Sequence, residues 1–286
     1  MAWQTSRFQI DLSQPKVMGI VNATPDSFSD GGQHGSVAAA IRHCEQLILD
    51  GADILDIGGE SSRPGAQPLS QTDELARIVP VVRAAVSLGV PVSVDTYKPQ
   101  VMQVVLDLGA DIINDIWALR WQDAAQGESA AHVIAAHPAC GICLMHMHLA
   151  PLTMQVQPMQ GDVVPEVLLF LERTALYLRG LEVEKTRILL DPGIGFGKTV
   201  AQNFSLLARQ QELLKAGYPL LVGWSRKSSL AGMAPSAGKA TVLPVGARLA
   251  SSLAAALLAA ERGASVLRVH DVKETVQALR VLAAIR

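Results

Sequence analysis

The chain contains VMGIVNAT at residues 17–24 and ADILDIGG at residues 52–59, and the helical pattern Ser36–Asp50 separates them. Apolar residues recur near the helical period in that pattern, and Gly51 follows as a stop signal. The two flanking runs are almost continuously apolar and end in polar or glycine residues. Strands of a parallel sheet that are buried on both faces have this composition. The segment therefore predicts a strand, a helix and a second, parallel strand.

The same unit recurs along the rest of the chain. Six further apolar runs precede helical patterns: PVSVDT (91–96), DIINDI (111–116), GICLMHM (141–147), ILLDPG (188–193), PLLVGWS (219–225) and SVLRVHD (265–271). Eight units with no obvious remainder favour a closed barrel over an open sheet, and a chain of 286 residues suits a barrel of about 250 residues. We predict an α/β fold, a (β/α)8 TIM barrel, as a single domain over residues 1–286 with its motif-bearing core at about 15–284.

Composition narrows the class of function. The formal net charge is −2, which does not provide the basic surface of a nucleic-acid-binding protein. The longest apolar stretch, at 249–260, is interrupted by Ser251 and Ser252 and is too short to cross a bilayer. The first residues lack the apolar core of a signal peptide. We expect a cytoplasmic protein with no nucleic-acid or membrane partner. Cys140 and Cys143 are predicted to be ordinary buried thiols rather than a redox pair.

Every predicted strand ends in polar or charged residues. Chemistry in (β/α)8 barrels takes place at the carboxyl ends of the strands. One such residue alone is explained by a loop cap, but eight polar strand ends predict a site. They are Asn22; Glu60, Ser61, Ser62 and Arg63; Asp95; Asn114 and Asp115; His146 and His148; Asp191; Ser225, Arg226 and Lys227; and Arg268, His270 and Asp271.

The types of these residues indicate what the site binds. Carboxylates and an amide at inward-facing strand ends need partners, and a flat heterocycle with an amino-pyrimidinone edge offers paired donors to them. Cations in the second, seventh and eighth loops suit a phosphate group, which barrels often bind near loops seven and eight. We expect an aromatic heterocycle deep in the barrel and a phosphate-bearing group near its mouth. The first set is Asp95, Asn114 and Asp191, and the second is Arg63, Lys227, Arg268 and His270.

The motifs around these residues resemble those of the dihydropteroate synthases, in the same order along the chain. The resemblance runs from about residue 10 to the C-terminus, and the first motif is long and specific. The motifs are MGIVNATPDSFSDGG (18–32), GGESSRPG (58–65), SVDT (93–96), INDI (113–116), LDPGIGFGK (190–198), SRKS (225–228) and RVHD (268–271).

The resemblance implies a role for each site residue. Asn22 would help to hold a Mg²⁺ ion, which prefers oxygen ligands and keeps several waters. The diphosphate would be bound by Asn22, Ser62, Arg63, Arg268 and His270. The pterin would be bound by Asp95, Asn114, Ile116, Met145, Asp191, Lys227 and Arg268. The 4-aminobenzoate would be bound by Pro64, Phe196, Lys227 and Ser228.

The resemblance also implies the reaction. A transferase of this family joins dihydropterin-methyl diphosphate to 4-aminobenzoate, giving dihydropteroate and diphosphate in folate synthesis. The implied path is dissociative: diphosphate leaves, and the aniline nitrogen attacks a pterin-methyl cation without a strong general base. The residues implied to carry it are Asn22, Asp95, Asp191, Lys227 and Arg268. Sulfonamides are expected to compete with 4-aminobenzoate, and a homodimer is expected.

Parts of the sequence also suggest four other functions. The segment Pro192–Thr199 ends like a P-loop but has Pro in place of its first Gly, and tight turning explains its glycines better. His146 and His148 resemble a zinc pair, but the other histidines do not supply a third ligand. A pterin-binding methyltransferase domain would not need the first motif or the cationic motifs. A non-catalytic pterin-binding paralogue should have lost at least one diphosphate or metal residue.

Overall fold

The computed structural model describes residues 1–23, 32–61, 67–121, 129–154, 156–232 and 242–285, and for residues 32–36 it describes the backbone only. Eight parallel strands close into a barrel, which confirms the predicted (β/α)8 fold. They are β3 Lys16–Asn22, β4 Ile54–Gly58, β5 Val92–Asp95, β6 Ile112–Asp115, β7 Gly141–Met145, β8 Ile188–Asp191, β9 Leu220–Val222 and β10 Ala264–Val269. Closure is made by β10 beside β3, where Arg268 pairs with Met18.

Helices follow the strands and cover the outside of the barrel. They are α1 Gly32–Leu49, α2 Gln71–Ala85, α3 Pro99–Asp107, α4 Ala130–Ala136, α5 Val163–Gly180, α6 Val200–Ala208, α7 Gln210–Leu213, α8 Leu249–Glu261 and α9 Val272–Ala284. The stretch Pro244–Arg262, rich in Ala, Leu and Ser, is predicted from the sequence as one helix, but the structure divides it: a 3-10 turn at Val245–Ala247 precedes α8. The stretch Leu149–Gly161 is predicted from the sequence as a long loop after the fifth barrel strand, and the structure agrees, because α5 begins only at Val163.

Side chains alternate between the interior and the exterior of the barrel, as the period of two in a strand requires. The deepest inward layer is apolar and includes Met18, Ile54, Ile112, Leu189 and Val266. The next inward residue along each strand lies nearer the carboxyl end, and there the interior becomes polar, for example at Asp56, Ser93 and Asn114. The site therefore lies on an apolar floor at the carboxyl ends of the strands.

A short hairpin lies at the other end of the barrel, and the sequence analysis did not predict it. Strands β1 Ala2–Gln4 and β2 Gln9–Asp11 pair antiparallel. Trp3 is fully buried against the deepest inward layer, and its indole N–H donates to the carbonyl of Arg187 at 2.9 Å. The hairpin thus covers the amino ends of the strands with an aromatic ring.

Two smaller expectations are settled by packing. The sequence places His43 on a helix and predicts that it faces solvent. In the structure it lies on α1 but is half-buried, with Nε2 3.3 Å from the carbonyl of Ile20. All three cysteines are buried and free, as predicted for Cys140 and Cys143. Across the described ranges, the helices lack the combined length and apolarity that crossing a bilayer demands.

Candidate active site

A cavity of about 330 Å³ opens at the carboxyl ends of the strands, and we call it the main cavity. Most of the predicted site residues line it: Asn22, Asp95, Asn114, Ile116, Met145, Asp191, Phe196, Lys227, Ser228, Arg268 and His270. The predicted diphosphate residues Ser62 and Arg63 and the predicted 4-aminobenzoate residue Pro64 lie outside the described residues. The structure thus brings together side chains from six barrel strands and the loops that follow them.

Arg268 is held between two carboxylates. Its Nε donates to Asp56 at 2.6 Å and its second terminal nitrogen donates to Asp95 at 2.8 Å. Burial opposes the charge of Arg268, but the two carboxylates outweigh burial and raise its pKa above the usual value. The guanidinium is therefore a fixed cation in the cavity wall.

Asp56, which is not among the residues predicted from the sequence, is fully buried at the base of this pair. Its carboxylate accepts from Arg268, from the hydroxyl of Ser93 at 2.6 Å and from the amide of Asn114 at 3.3 Å. The available signal was a charge between Leu55 and Ile57, in the apolar centre of the run ADILDIGG. Asp56 thus orients two residues that line the cavity without lining it itself.

Burial raises the pKa of both carboxyls predicted to contact the pterin. Burial raises the pKa of Asp95 to about 7, with Asp56 adding to the rise and Arg268 opposing it. Burial also raises the pKa of Asp191, while the backbone N–H of Gly193, donating to its Oδ1 at 2.7 Å, favours the charged form. A ligand that donates hydrogen bonds to these carboxyls replaces the water that they have lost.

The loop after β8 is a tight glycine turn, as the sequence analysis predicted in rejecting a P-loop. Gly193 has φ +66°, and a Cβ there would lie 1.9 Å from the carbonyl oxygen of His146. The ammonium of Lys198 fills the turn and contacts the carbonyls of Gly193 at 2.9 Å and Phe196 at 3.1 Å. Burial lowers the pKa of Lys198 to about 7. This turn places Phe196 at the cavity wall.

Lys227 and Phe196 form a second wall of the cavity. The Lys227 ammonium lies 4.3 Å from the centre of the Phe196 ring, a cation–π distance. Burial, with Arg268 nearby, lowers the pKa of Lys227 to about 8. Lys227 follows Arg226, which has φ +58° and pairs with Asp271 through Nη2 and Oδ1 at 2.5 Å. The pairing holds the loop that carries Lys227 and the exposed Ser228.

His270 directly follows β10 and Asn22 ends β3, the two strands that close the barrel. The Nδ1 of His270 is 3.0 Å from the hydroxyl of Ser225. Burial lowers the pKa of His270 to about 3, and Arg226 and Arg268 contribute. His270 is therefore a neutral ring at ordinary pH, able to donate one hydrogen bond to an anion. Asn22 ends β3 and presents an amide to the same cavity.

Four of the described polar strand-end residues do not line the cavity: Asp115, His146, His148 and Asp271, which pairs with Arg226. Asp115 is fully buried, and its carboxylate accepts from the backbone of Trp117 and Leu119 at 2.7 Å each. The Nδ1 of His146 lies 2.9 Å from the ammonium of Lys198, and His148 is half-buried. Within the described ranges, three or more acidic, histidine or cysteine side chains nowhere converge in a metal-holding group. The zinc interpretation of the histidines gains no support.

Comparison with known proteins agrees with this geometry. The family model described as pterin binding enzyme matches residues 18–270. The dihydropteroate synthase of Neisseria meningitidis serogroup C is 46% identical, over 99% of this chain and 97% of the relative.

Solved structures give the same result. Xanthomonas albilineans dihydropteroate synthase with 4-aminobenzoic acid has a TM-score of 0.88 and 43% identity, over 100% of this chain and 98% of that one. The Burkholderia cenocepacia enzyme complexed with 7,8-dihydropteroate has a TM-score of 0.86 and 45% identity, over 100% and 96%. The Yersinia pestis enzyme with a sulfonamide drug complex has a TM-score of 0.88 and 42% identity, over 100% and 99%.

The fold, the cavity and these matches define a pterin-binding (β/α)8 barrel enzyme. Within that class, the chain belongs to the dihydropteroate synthase family.

Proposed function

We propose that the main cavity joins dihydropterin-methyl diphosphate to 4-aminobenzoate, releasing diphosphate and forming 7,8-dihydropteroate. One observation carries the proposal: buried carboxyls and an amide lie in the same cavity as Arg268, Lys227 and His270. This arrangement suits a substrate that has a donor-rich ring at one end and an anion at the other. The reaction is a transfer of the pterin-methyl group to an amine.

The pterin ring fits the deep part of the cavity. The carboxyls of Asp95 and Asp191 can accept from ring N–H groups, and Asn114 is buried beside them and oriented by Asp56. Ile116 and Met145 supply apolar walls for the ring faces. When ionised, the two carboxylates also stabilise positive charge that spreads over the pterin as its leaving group departs.

The diphosphate fits near Arg268 and His270. The Arg268 guanidinium is already fixed by two carboxylates, so little reorganisation is needed as negative charge develops on the leaving oxygen. Neutral His270 can donate a hydrogen bond to the same group. Ser62 and Arg63 remain sequence predictions for this part of the site.

Asn22 is proposed to help hold Mg²⁺. An amide oxygen is a hard ligand of the kind that Mg²⁺ binds. Asn22 lines the main cavity at the end of β3, the strand that pairs with β10. Because the described residues form no acidic cluster for a metal, the remaining ligands would be substrate oxygens and water. Once bound, the ion would neutralise charge on the diphosphate.

The 4-aminobenzoate fits the wall formed by Phe196 and Lys227. The Phe196 ring offers a face for the aromatic ring, and the Lys227 ammonium and Ser228 hydroxyl offer donors to its carboxylate. Its amine then points towards the pterin methylene. Because the amine attacks a carbocation, the step needs no strong general base to activate the amine. Pro64 remains a sequence prediction for this part of the site.

The proposal is tested by mixing the purified chain with both substrates and Mg²⁺ and measuring diphosphate and dihydropteroate. We expect the two products in equal amounts, with release that depends on 4-aminobenzoate. Pterin binding without release would support the non-catalytic paralogue or the methyltransferase instead. Asn22→Ala and Asp191→Ala should each abolish turnover while the circular dichroism spectrum is unchanged. Full activity in either variant would contradict the site.

Sulfonamides are proposed to compete with 4-aminobenzoate, since both are para-substituted anilines that suit the same wall. The binding of a sulfonamide drug complex to the Yersinia pestis relative supports this. Initial rates at several concentrations of each compound should show that the sulfonamide raises the apparent KM for 4-aminobenzoate and leaves kcat unchanged. A fall in kcat that excess 4-aminobenzoate does not reverse would contradict a shared site.

A homodimer and a cytoplasmic location complete the proposal. The small buried residues of α8, such as Ala255 and Ala259, pack on the barrel, while Leu258 is 40% exposed and available to a second subunit. The three buried free thiols are compatible with a reducing compartment. Light scattering on the purified chain measures the oligomeric state, and cell fractionation measures the location.

A further inference from the structure

A buried amide on α6, that of Asn203, contacts both loops that form the second wall of the main cavity. The loop after β8 carries Phe196, and the loop after β9 carries Lys227 and Ser228. Asn203 belongs to neither loop, is 1% exposed and does not line the cavity itself. The proposed reaction therefore gives this amide no part in binding or chemistry.

The two ends of the Asn203 amide contact different loops. Its Oδ1 accepts from the backbone N–H of Gly195 at 2.8 Å. Its Nδ2 donates to the hydroxyl of Ser229 at 3.0 Å. Gly195 precedes Phe196 and Ser229 follows Ser228, so each contact lies one residue from a side chain proposed to bind 4-aminobenzoate. Asn203 thus joins the two loops behind the wall that they form.

The orientation of this amide is fixed by its surroundings. Its Nδ2 also lies 2.9 Å from the carbonyl oxygen of Thr199 and 3.3 Å from that of Lys198. Acceptors therefore surround the nitrogen, while a backbone donor faces the oxygen. A carboxylate at this position would face two carbonyl oxygens, and an aliphatic side chain would take an acceptor away from Gly195. An amide satisfies both loops at once.

The two loops also approach each other inside the wall. A Cβ on Gly195, which has φ +83°, would lie only 3.3 Å from Cδ of Lys227. The Lys227 ammonium in turn lies 4.3 Å from the centre of the Phe196 ring. Because the loops are this close, a small change in their separation alters how Phe196 and Ser228 face a shared ligand.

The beginning of the loop after β9 is held by contacts that do not involve Asn203. The backbone N–H of Arg226 donates to the hydroxyl of Ser252 at 2.9 Å. The carbonyl of Arg226 accepts from the guanidinium of Arg248 at 3.0 Å. Loss of the Asn203 amide should therefore move the end of this loop, at Ser228, more than its beginning.

We propose that Asn203 is a positioning residue that sets the spacing of the two loops and thereby the affinity for the 4-aminobenzoate part of the ligands. It acts through the loops and touches no substrate. The pterin end is oriented by other groups, because Asp56 accepts from Asn114 and the N–H of Gly193 donates to Asp191. The role rests on the proposed function, since it concerns one end of the same site.

The test compares two ligands by calorimetric titration of the full chain. One is 7,8-dihydropteroate, which fills both ends of the site, and the other is hydroxymethyl dihydropterin, which lacks the benzoate part. In Asn203→Ala we expect dihydropteroate to bind about tenfold more weakly and hydroxymethyl dihydropterin to stay within about twofold of the wild type. A general loss of structure would weaken both ligands, so the ratio of the two affinities isolates the positioning role.

Two further variants sharpen the test. Ser229→Ala removes only the contact with the loop after β9 and should weaken dihydropteroate about threefold. Because this effect passes through Asn203, the double variant should bind no more weakly than Asn203→Ala alone. Thr199→Ala is the matched control on the same helix: it removes the hydroxyl that accepts from Gln202 at 3.2 Å and should leave both affinities unchanged.

Three results would overturn the positioning role. One is an equal loss of affinity for both ligands in Asn203→Ala. Another is a dihydropteroate affinity that Ser229→Ala leaves unchanged, a result that decides the matter even where Asn203→Ala does not fold. The third is a wild-type chain that binds hydroxymethyl dihydropterin but not dihydropteroate, which would contradict the proposed function as well. The first two leave the proposed function intact, so the two failures are distinguishable.

Discussion

At the scale of single residues, Asp56 and Arg268 show how the site is built in layers. Arg268 was expected from a motif at a strand end, and the structure places it in the cavity. Asp56 and Ser93 were not expected, because both lie one inward position deeper than the strand ends at which barrel chemistry is predicted. Period-two alternation from Gly58 and Asp95 would have found them. Their polar contacts with each other could not be read from the sequence.

Asp56→Asn removes the charge that orients Arg268 and keeps the size of the side chain. We expect kcat/KM for the pterin substrate to fall about 30-fold, ~2 kcal/mol, because Arg268 retains only Asp95 as a charged partner. Ser93→Ala is the control: it removes one hydrogen bond to Asp56 and should cost about 1 kcal/mol or less. Steady-state kinetics measure kcat/KM for both variants, and urea unfolding confirms that both are folded. Equal losses in both variants would show that the charge of Asp56 is unimportant.

Lys227 predicts a pH dependence. Its pKa is lowered to about 8, so the ammonium is present below that pH and is lost above it. We expect kcat/KM for 4-aminobenzoate to decline as the pH rises through about 8, since this parameter reports the free enzyme. The Lys227→Arg side chain stays charged at all accessible pH values. In this variant kcat/KM for 4-aminobenzoate should therefore not decline over this pH range, whatever its overall activity. A wild-type profile that is flat between about pH 7 and 9.5 would contradict the role of the ammonium.

At the scale of elements, the apolar runs located all eight barrel strands but overstated their lengths. The run PLLVGWS predicts seven residues, whereas β9 has three, from Leu220 to Val222. The reason is that apolar character continues into loops that are themselves buried, as at Trp224. Periodicity measures burial, and it does not show where ladder hydrogen bonds end.

The turn after β8 allows a test with a matched glycine. Gly193→Ala introduces a Cβ at 1.9 Å from the carbonyl oxygen of His146, on a residue with φ +66°. Gly161→Ala has nearly the same φ, +68°, with nothing within 4 Å. We expect the first to lower the free energy of unfolding by at least about 3 kcal/mol and the second by about 1 kcal/mol. Urea unfolding measures both. A similar loss in the two variants would mean that the loop relaxes and that Gly193 is required only for its φ.

At the scale of the whole molecule, each of the eight apolar runs forms one strand of the closed barrel. The eightfold repeat in the sequence made this closure predictable. The hairpin of β1 and β2 was not predictable in the same way. Each of its strands has only three residues, and Trp3 is flanked by Ala2 and Gln4 with no longer apolar pattern. The contact of Trp3 with Arg187, which is distant in sequence, positions the hairpin. Local patterns carry no information about such a partner.

The hairpin should therefore stabilise the barrel without taking part in the chemistry. Trp3→Ala removes a fully buried indole and its 2.9 Å hydrogen bond, and we expect the free energy of unfolding to fall by about 3–5 kcal/mol. Because Trp3 contacts the deepest apolar layer and does not line the main cavity, kcat of the folded variant should stay within about twofold of the wild-type value. Val281→Ala, at a side chain 67% exposed on α9, is the control and should change stability by no more than about 0.5 kcal/mol. Urea unfolding and turnover at a temperature where all three proteins are folded separate the two quantities. A loss of kcat with unchanged stability would mean that the two ends of the barrel are coupled through its interior.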